Sequence, residues 1–473
     1  MESTKSQPSQ KAWDATLRAL DLLIATGHRH QGFFPSILNL DGTQPFRLPD
    51  AIPGQRNCDR AFPGTNLMHD HALLRVLRDI DAFAPGHGFA VGADRYLTRF
   101  AAICSSATSG LFPWGEHLFW NLEEDRIGSS YALERVATMA THDHLLQAPQ
   151  WLWEDLWARN PNAVERFALG LERHFLDVDG TSEYNRHASA LVHYLKRTRG
   201  ERSCDFPRHS GFFAFDWAFI SAATGSHRFA HNVLRAMDYW WERRPASGPL
   251  SEESRGAGRK NIVGSQTMSL GVSLLETADL LKERQPEIAV EARRRGWHYI
   301  NAFLLMPHEL QPGRFIDMYH ADDGKILIHL RNWGNVYGQG VLSTTYALLA
   351  LRAYAFEPRE DLIAFASAVG RSAAAEAAEA LKKDDTSVRD AGQYLSLLLE
   401  LHVITADPQW MAWWRRDAAA AADMFLDAGL PRIAVGRTHY ESQQLPGHSL
   451  RALARGHLLE TAGVDIGGDF TLR

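Results

Sequence analysis

Apolar residues recur at helical spacing along almost the whole chain, and this periodicity constrains the fold more than any other feature. Leu270, Leu274, Ala278 and Leu281, for example, form one stripe at the i, i+4, i+8 and i+11 positions. Between such segments lie short joins such as Asn160-Pro161, where asparagine caps one helix and proline fits its first turn. About fourteen helical segments follow one another in this way.

A run of helix pairs this long must bury both faces of its inner helices, and closure into a ring achieves this burial. We therefore predict an all-α fold, an (α/α)7 toroid in which six hairpins would also fit. Residues 1–473 are expected to form a single domain, with about residues 1–10 disordered. Arg314 to His329 is predicted to be a small β-hairpin insertion that turns at Asp322-Asp323-Gly324. An open superhelix is the structural alternative.

Composition excludes several classes of function. The net charge is −6 and basic residues are not clustered, so we expect no nucleic-acid partner. No run approaches the roughly 20 apolar residues of a membrane span, so no membrane partner is expected. Three cysteines without metal-ligand spacing and a polar N-terminus favour a cytoplasmic protein, although a truncated periplasmic form is the alternative.

Polar residues are concentrated in residues 111–187, in three clusters. Glu116-His117 lies in a loop with Trp114 and Trp120. His142-Asp143-His144 is predicted to open a helix over 144–158, with Asp143 either a helix cap or part of a site. Tyr184-Asn185-Arg186-His187 is predicted to open a helix over 186–196 and to belong to the site, with a capping role for Asn185 as the alternative.

Histidine and arginine also recur beside aromatic residues elsewhere in the chain. His69-Asp70-His71 is predicted to start a helix, and cationic residues lie at several loop ends. Aromatic walls stack on sugar rings, and arginine pairs with carboxylates. This pattern predicts an acidic oligosaccharide or polysaccharide substrate. The predicted substrate-binding residues are His69, Trp114, Glu116, Trp120, Asn185, Arg208, Arg331, Trp333, Tyr337 and Tyr440.

Residues 144–188, together with NLMHD at 66–70 and GEHLFWN at 115–121, resemble the family 2 polysaccharide lyases. The resemblance implies an (α/α)7 toroid that cleaves a uronate polymer by β-elimination with an arginine base. It implies that Arg186 is the base and that His187 and His117 bind a divalent metal such as Mn or Ca. The family's glutamate ligand is replaced here by Leu145, so the metal requires Glu116 or Asp143 as a substitute ligand, or is absent.

Three functional hypotheses follow. The leading one is a lyase that cleaves a uronate-containing glycan by β-elimination, with Arg186, His144 or Tyr184 as the base. The second is a toroidal glycoside hydrolase whose carboxylate pair comes from Glu116, Asp143 and Glu441. The third is a non-catalytic carbohydrate-binding protein.

Overall fold

The computed structural model describes residues 8–130, 140–144, 146–178, 181–191, 204–246, 248–252, 258–334 and 341–468. The helices in these ranges are α1 (Pro8–Arg29), α2 (Leu67–Ile80), α3 (Phe89–Ile103), α4 (Gln150–Arg159), α5 (Pro161–Leu171), α6 (Pro207–Thr224), α7 (His227–Arg243), α8 (Gly264–Leu281), α9 (Pro286–Leu304), α10 (Ser343–Phe356), α11 (Glu360–Ala380), α12 (Val388–Thr405), α13 (Pro408–Phe425) and α14 (Pro446–Ala462).

The helices alternate between an inner and an outer ring. Helices α2, α6, α8, α10, α12 and α14 are buried on nearly all sides, whereas the helices between them bury one face. The ring closes because α14 packs on α2, and α1 packs on both α13 and α14. At this closure Trp13 stacks on His457 with ring centroids 5.0 Å apart. The predicted all-α toroid is therefore confirmed.

The inner position between α2 and α6 is only partly helical. The short helix α4 lies there, since the Trp151 ring lies under Arg75 of α2 and Trp153 donates to Asp216 of α6 at 2.8 Å. Residues 140–144 and 146–149, which lie directly before α4, are not helical, so Asp143 lies on extended backbone and loop. With α4 counted, seven inner helices match seven outer ones among the described residues.

Local sequence explains where many helices begin. Asn66 caps α2 by accepting the Met68 N–H at 3.1 Å, and Asn160 caps α5 by accepting the Ala163 N–H at 3.1 Å. The Asn160-Pro161 join is thus confirmed. In α2 the polar residues His69 to His71 occupy the first turn, as predicted, and lie at the end of the ring where the inner helices start.

Short strands connect the helices at this same end. They are β1 (Ile37–Asn39), β2 (Gly64–Thr65), β3 (Leu118–Asn121), β4 (Arg126–Ser129), β5 (Thr141–His142), β6 (Phe175–Val178), β7 (Thr181–Tyr184), β8 (Ala188–Ser189), β9 (Asn261–Val263), β10 (Ile316–His320), β11 (Ile326–His329) and β12 (His439–Glu441). Strand β3 pairs with β2 and β4, β5 pairs with β8, and β1 pairs with β12. The predicted hairpin is confirmed as β10 and β11, which join β9 in a three-stranded sheet.

Two helix predictions at the polar clusters are wrong. The helix expected at His144 begins only at Gln150, because residues 141–142 pair as a strand with residues 188–189. The helix expected at Arg186 is interrupted by that same strand pairing, and its second part lies outside the described residues. At the N-terminus, residues 8–10 are already helical, so the predicted disorder does not extend to residue 10. Among the described helices, none combines the length and apolarity needed to span a membrane.

Candidate active site

The centre of the candidate site is a buried arginine between two carboxylates. The same Arg186 nitrogen, Nη1, donates to Glu116 Oε2 and to Asp143 Oδ2, at 3.0 Å each. The backbone N–H of Glu116 also donates to Asp143 Oδ1 at 3.0 Å. The strand pair β5–β8 and the loop before β3 bring these residues together from positions up to 70 apart in the chain.

The charges of this trio influence one another strongly. Burial, and then the charge of Glu116, raises the pKa of Asp143 well above its usual range. Burial works against the charge of Arg186, but Glu116 and Asp143 outweigh it and hold the arginine pKa well above its ordinary value. Arg186 is therefore a permanent cation in this site.

Two histidines flank the carboxylates. His117 Nε2 lies 3.5 Å from Glu116 Oε2, and His187 Nε2 lies 3.7 Å from Asp143 Oδ2. Their rings stack with centroids 5.8 Å apart. Burial lowers the pKa of both imidazoles, so both are neutral near pH 7.

The Cys58 carbonyl and the Arg56 guanidinium hold His117 and Glu116 in place. His117 Nδ1 donates to the Cys58 carbonyl oxygen at 2.9 Å, which orients the ring and directs Nε2 towards the carboxylates. Arg56 donates to Glu116 Oε1 at 2.9 Å and to Asp59 Oδ2 at 2.6 Å. Burial, and then the charge of Glu116, raises the pKa of Asp59 to about 6.

Several buried polar atoms around this centre lack hydrogen-bond partners among the described residues. They include both ring nitrogens of His69, both ring nitrogens of His209, and the Nε atoms of Arg186 and Arg208. Burial lowers the pKa of His69 to about 3 and that of His209 well below its usual range. Buried polar groups are normally satisfied, so this concentration of unpartnered donors and acceptors indicates a place where a polar ligand binds.

Two further carboxyl groups face the arginines. Burial, and then the charge of Asp317, raises the pKa of Glu252 to about 7, while Arg208 and Arg186 act against this shift. Asp317 accepts the Ser265 N–H at 3.0 Å, at the start of α8, and burial raises its pKa as well. Glu252 is thus a carboxyl that exchanges its proton near neutral pH.

The structure brings five of the predicted site residues together. His69, Glu116, His117, Arg186 and His187 surround the centre, and Arg208 lies close enough to influence the pKa of His209 and Glu252. Asn185 belongs to the same segment, where its Oδ1 accepts the His187 N–H at 2.9 Å and so shapes the turn. The roles of these residues stay predictions.

Arg186, His144 and Tyr184 are poorly suited to the base role predicted for them. The raised pKa of Arg186 leaves no neutral form to accept a proton. His144 is enclosed by aromatic rings, and its Nε2 bonds to Asp216 Oδ2 at 2.7 Å. Tyr184 packs against Tyr239 and Trp240, and burial raises its pKa well above the usual value.

The aromatic residues predicted to stack on sugar are part of the protein interior. Each tryptophan is buried and donates its indole N–H to the protein: Trp114 to His142, Trp120 to Asp125, and Trp333 to the Ala373 carbonyl. Tyr440 is completely buried in β12. These side chains therefore support the fold and do not line an open groove.

Other predicted residues lie elsewhere. Arg331 is exposed beyond the β10–β11 hairpin, where its Nη1 donates to the Gly334 carbonyl at 3.5 Å. Tyr337 and Leu145 lie outside the described residues. Glu441, a candidate for a hydrolase pair, is bound by Arg60 in a separate ion pair.

Sequence reasoning missed several residues of the site. Asp59, Glu252 and Asp317 have no neighbouring histidine, so they carry no local signal of the kind used for the other clusters. His209 directly follows the predicted residue Arg208 in the sequence but carries no further signal of its own. The burial that perturbs these groups arises from the closed ring, which a local sequence window does not reveal.

The residues at the centre fit a divalent metal ion. One ligand atom from each of Glu116, His117, Asp143 and His187 lies within 4.8 Å of the others. Neutral imidazole and carboxylate oxygen are the donors that Mn²⁺ and Zn²⁺ accept, and the Cys58 carbonyl orients His117 as metal-binding histidines are commonly oriented. Arg186 already neutralises part of the negative charge and would share both carboxylates with an ion.

Comparison with known proteins gives structural likenesses only. No protein-family model and no curated protein matches the chain. The unsaturated glucuronyl hydrolase from Bacillus sp. GL1 is 12% identical with a TM-score of 0.46, covering 98% of this chain and 99% of that one. A family 76 glycoside hydrolase (mannosidase) from Bacteroides thetaiotaomicron is 10% identical with a TM-score of 0.45, covering 95% and 100%. Such low TM-scores carry no inference about activity.

Proposed function

We propose that the protein is a lyase that cleaves a uronate-containing glycan by β-elimination. The observation that carries this proposal is the group of unpartnered polar atoms around Arg186. It combines cationic guanidinium nitrogens of Arg186 and Arg208 with the neutral imidazoles of His69 and His209. Abstraction of a proton from the carbon beside a carboxylate requires a neutral base. Cations next to that base stabilise the negative charge that develops.

The residues divide into three roles. Arg208 and the free Nε edge of Arg186 receive the uronate carboxylate, which reduces the cost of negative charge at C5. His209 accepts the C5 proton, because both of its ring nitrogens lack a hydrogen-bond partner among the described residues and the two arginines that receive the carboxylate lie near it. Glu252, with a pKa of about 7, gives a proton to the leaving oxygen of the glycosidic bond. The bond between C4 and that oxygen breaks as a C4–C5 double bond forms.

A divalent metal ion would bind next to Arg186, at the centre of the site. Glu116, His117, Asp143 and His187 would hold it. When bound, the ion supplies additional positive charge for the substrate carboxylate. Arg186 and Arg208 provide binding, and His209 provides proton transfer, in their own right.

A glycoside hydrolase is the second candidate, because Glu252 and Asp317 are two carboxyls with raised pKa values in one site. The pair predicted from sequence is unsuitable. Glu116 and Asp143 approach within 4.8 Å and share one arginine nitrogen, whereas glycosidase pairs stand roughly 5 to 10 Å apart with the sugar between them.

One assay separates the candidates. The protein is incubated with polymers of galacturonate, glucuronate and mannuronate, and both ultraviolet absorbance and reducing ends are measured. A lyase produces absorbance from the new C4–C5 double bond in step with reducing ends. Reducing ends without absorbance would support the hydrolase, and no product on any polymer would leave only carbohydrate binding.

Two matched variants test the roles. His209→Ala is expected to abolish elimination, while His144→Phe, a change at an equally buried histidine bonded to Asp216, is expected to retain it per folded molecule. Glu252→Gln should remove the alkaline limb of the pH–rate profile near pH 7, because the proton donor is lost as pH rises through its pKa. Full activity of His209→Ala would contradict the assignment of the base.

A further inference from the structure

Strand β11 forms an open edge of a sheet. In the three-stranded sheet the order is β11-β10-β9, so within the described part of the chain β11 has a strand partner on one side only. Ile326 and Leu327 are 42% and 44% exposed, and Ile328 is half-buried. Exposed edges are normally kept apart by charges or covered, because their free N–H and C=O groups pair readily with another strand.

The charges around β11 are complementary to those of a second copy. The turn before β11 carries exposed Asp322 and Asp323, and exposed Arg331 follows the strand. When two β11 strands pair antiparallel about Leu327, Asp323 of each copy lies opposite Arg331 of the other. In the same register Ile326 lies opposite Ile328, which gives apolar cross-strand pairs.

The other charges near the turn leave this register intact. His320 Nδ1 lies 3.3 Å from Asp323 Oδ1 within the same hairpin, and Lys325 faces His329 across the two-fold axis. In this register no two lysine or arginine residues and no two carboxylates lie directly opposite each other.

We propose that two copies of this chain associate through β11 and form a continuous six-stranded antiparallel sheet. A two-fold contact of this kind is self-complementary, since the same strand serves both copies. The strand is short and buries little area, so the association is weak and depends on protein concentration.

Sedimentation velocity over rising concentrations of the full chain tests this directly. The wild type is expected to shift from monomer to dimer, and Leu327→Lys is expected to stay monomeric. Val290→Lys, which places the same charge at an exposed apolar position of α9, serves as the matched control and should dimerise like the wild type. A wild type that remains monomeric at the highest concentration overturns the proposal, as does a Leu327→Lys variant that still dimerises.

A charge exchange tests the register. Asp323→Arg alone places two arginines opposite each other and is expected to weaken the dimer. The double variant Asp323→Arg with Arg331→Asp restores opposite charges and is expected to recover it. Failure of the double variant to recover the dimer, while both variants remain folded, overturns the antiparallel register about Leu327.

Discussion

Arg60 and Arg186 are both buried arginines that bind carboxylates, yet their surroundings differ. Arg60 donates to Glu441 through Nε and through Nη2, the latter at 2.8 Å, while its Nη1 donates to the Pro49 carbonyl at 2.6 Å. Gln55 donates to the same glutamate at 2.8 Å. Arg186 instead serves two carboxylates with one nitrogen, and its Nε has no partner among the described residues.

This difference separates a structural ion pair from a site. In the Arg60 pair each guanidinium nitrogen is already used, so no donor remains for a ligand. Around Arg186 unpartnered donors and acceptors accumulate, and holding them in that state costs folding energy. A protein retains such an arrangement where a ligand completes it.

Removing Arg60 should produce the largest effect on stability. Arg60→Met leaves Glu441 buried without its counter-charge, so the free energy of unfolding is expected to fall by about 3–5 kcal/mol. Urea denaturation measures this, and the double variant Arg60→Met with Glu441→Leu should recover most of the loss. A loss below about 1 kcal/mol would show that the pair is not structural.

Removing Arg186 should act mainly on activity. Arg186→Met is expected to slow glycan cleavage by roughly 10²–10³-fold, the usual effect of losing a donor that stabilises developing negative charge. Its cost to stability should be smaller than that of Arg60→Met, because Asp143 has a raised pKa and can take up a proton. Rates with a uronate polymer and urea denaturation are measured on the same samples. Equal stability losses for the two variants would remove the distinction between the two arginines.

Asp70 is a buried carboxyl that no arginine among the described residues contacts. It accepts from the Tyr96 hydroxyl at 2.8 Å, and burial raises its pKa from 3.8 to about 7. An acid with a raised folded-state pKa stabilises the fold below its unfolded pKa, and this stabilisation is lost as pH rises through the folded pKa. The wild type should therefore lose at most about 3 kcal/mol between pH 5 and pH 8 from this group, and Asp70→Asn should remove that part of the slope. Parallel pH slopes for both proteins would contradict the prediction.

Binding of a divalent metal should give the smallest of the expected effects on stability. The effect should arise at the Arg186 site and not at the Arg60–Glu441 ion pair. At a free ion concentration ten times the Kd, binding at Glu116, His117, Asp143 and His187 adds about 1.4 kcal/mol to folding. Titration with Mn²⁺, Zn²⁺ and Ca²⁺, followed by thermal unfolding, measures the shift. His117→Ala should abolish it, whereas His439→Ala beside Glu441 should not. A shift that survives in His117→Ala would place the ion elsewhere.

Local patterns predicted the toroid well but described the site incompletely. The apolar stripe from Leu270 to Leu281 and the Asn160-Pro161 join are contained in short windows, so the helices follow from them. The contacts that distinguish Arg186 from Arg60 join residues 70 and 381 positions apart. Asp143 resembles a helix cap in sequence, yet its carboxylate binds a guanidinium and a backbone N–H from elsewhere. Such roles depend on tertiary pairing and burial.

The closure of the ring has a consequence for biosynthesis. Helix α1 leaves the ribosome long before its partners α13 and α14 are synthesised. The face of α1 that packs against them, including Trp13, is therefore exposed while the helices from α2 to α12 are translated. Nascent chains in this state attract chaperones or aggregate, so expression at low temperature should raise the soluble yield. Moving α1 to follow α14 by circular permutation would bring these partners together early in the life of the chain.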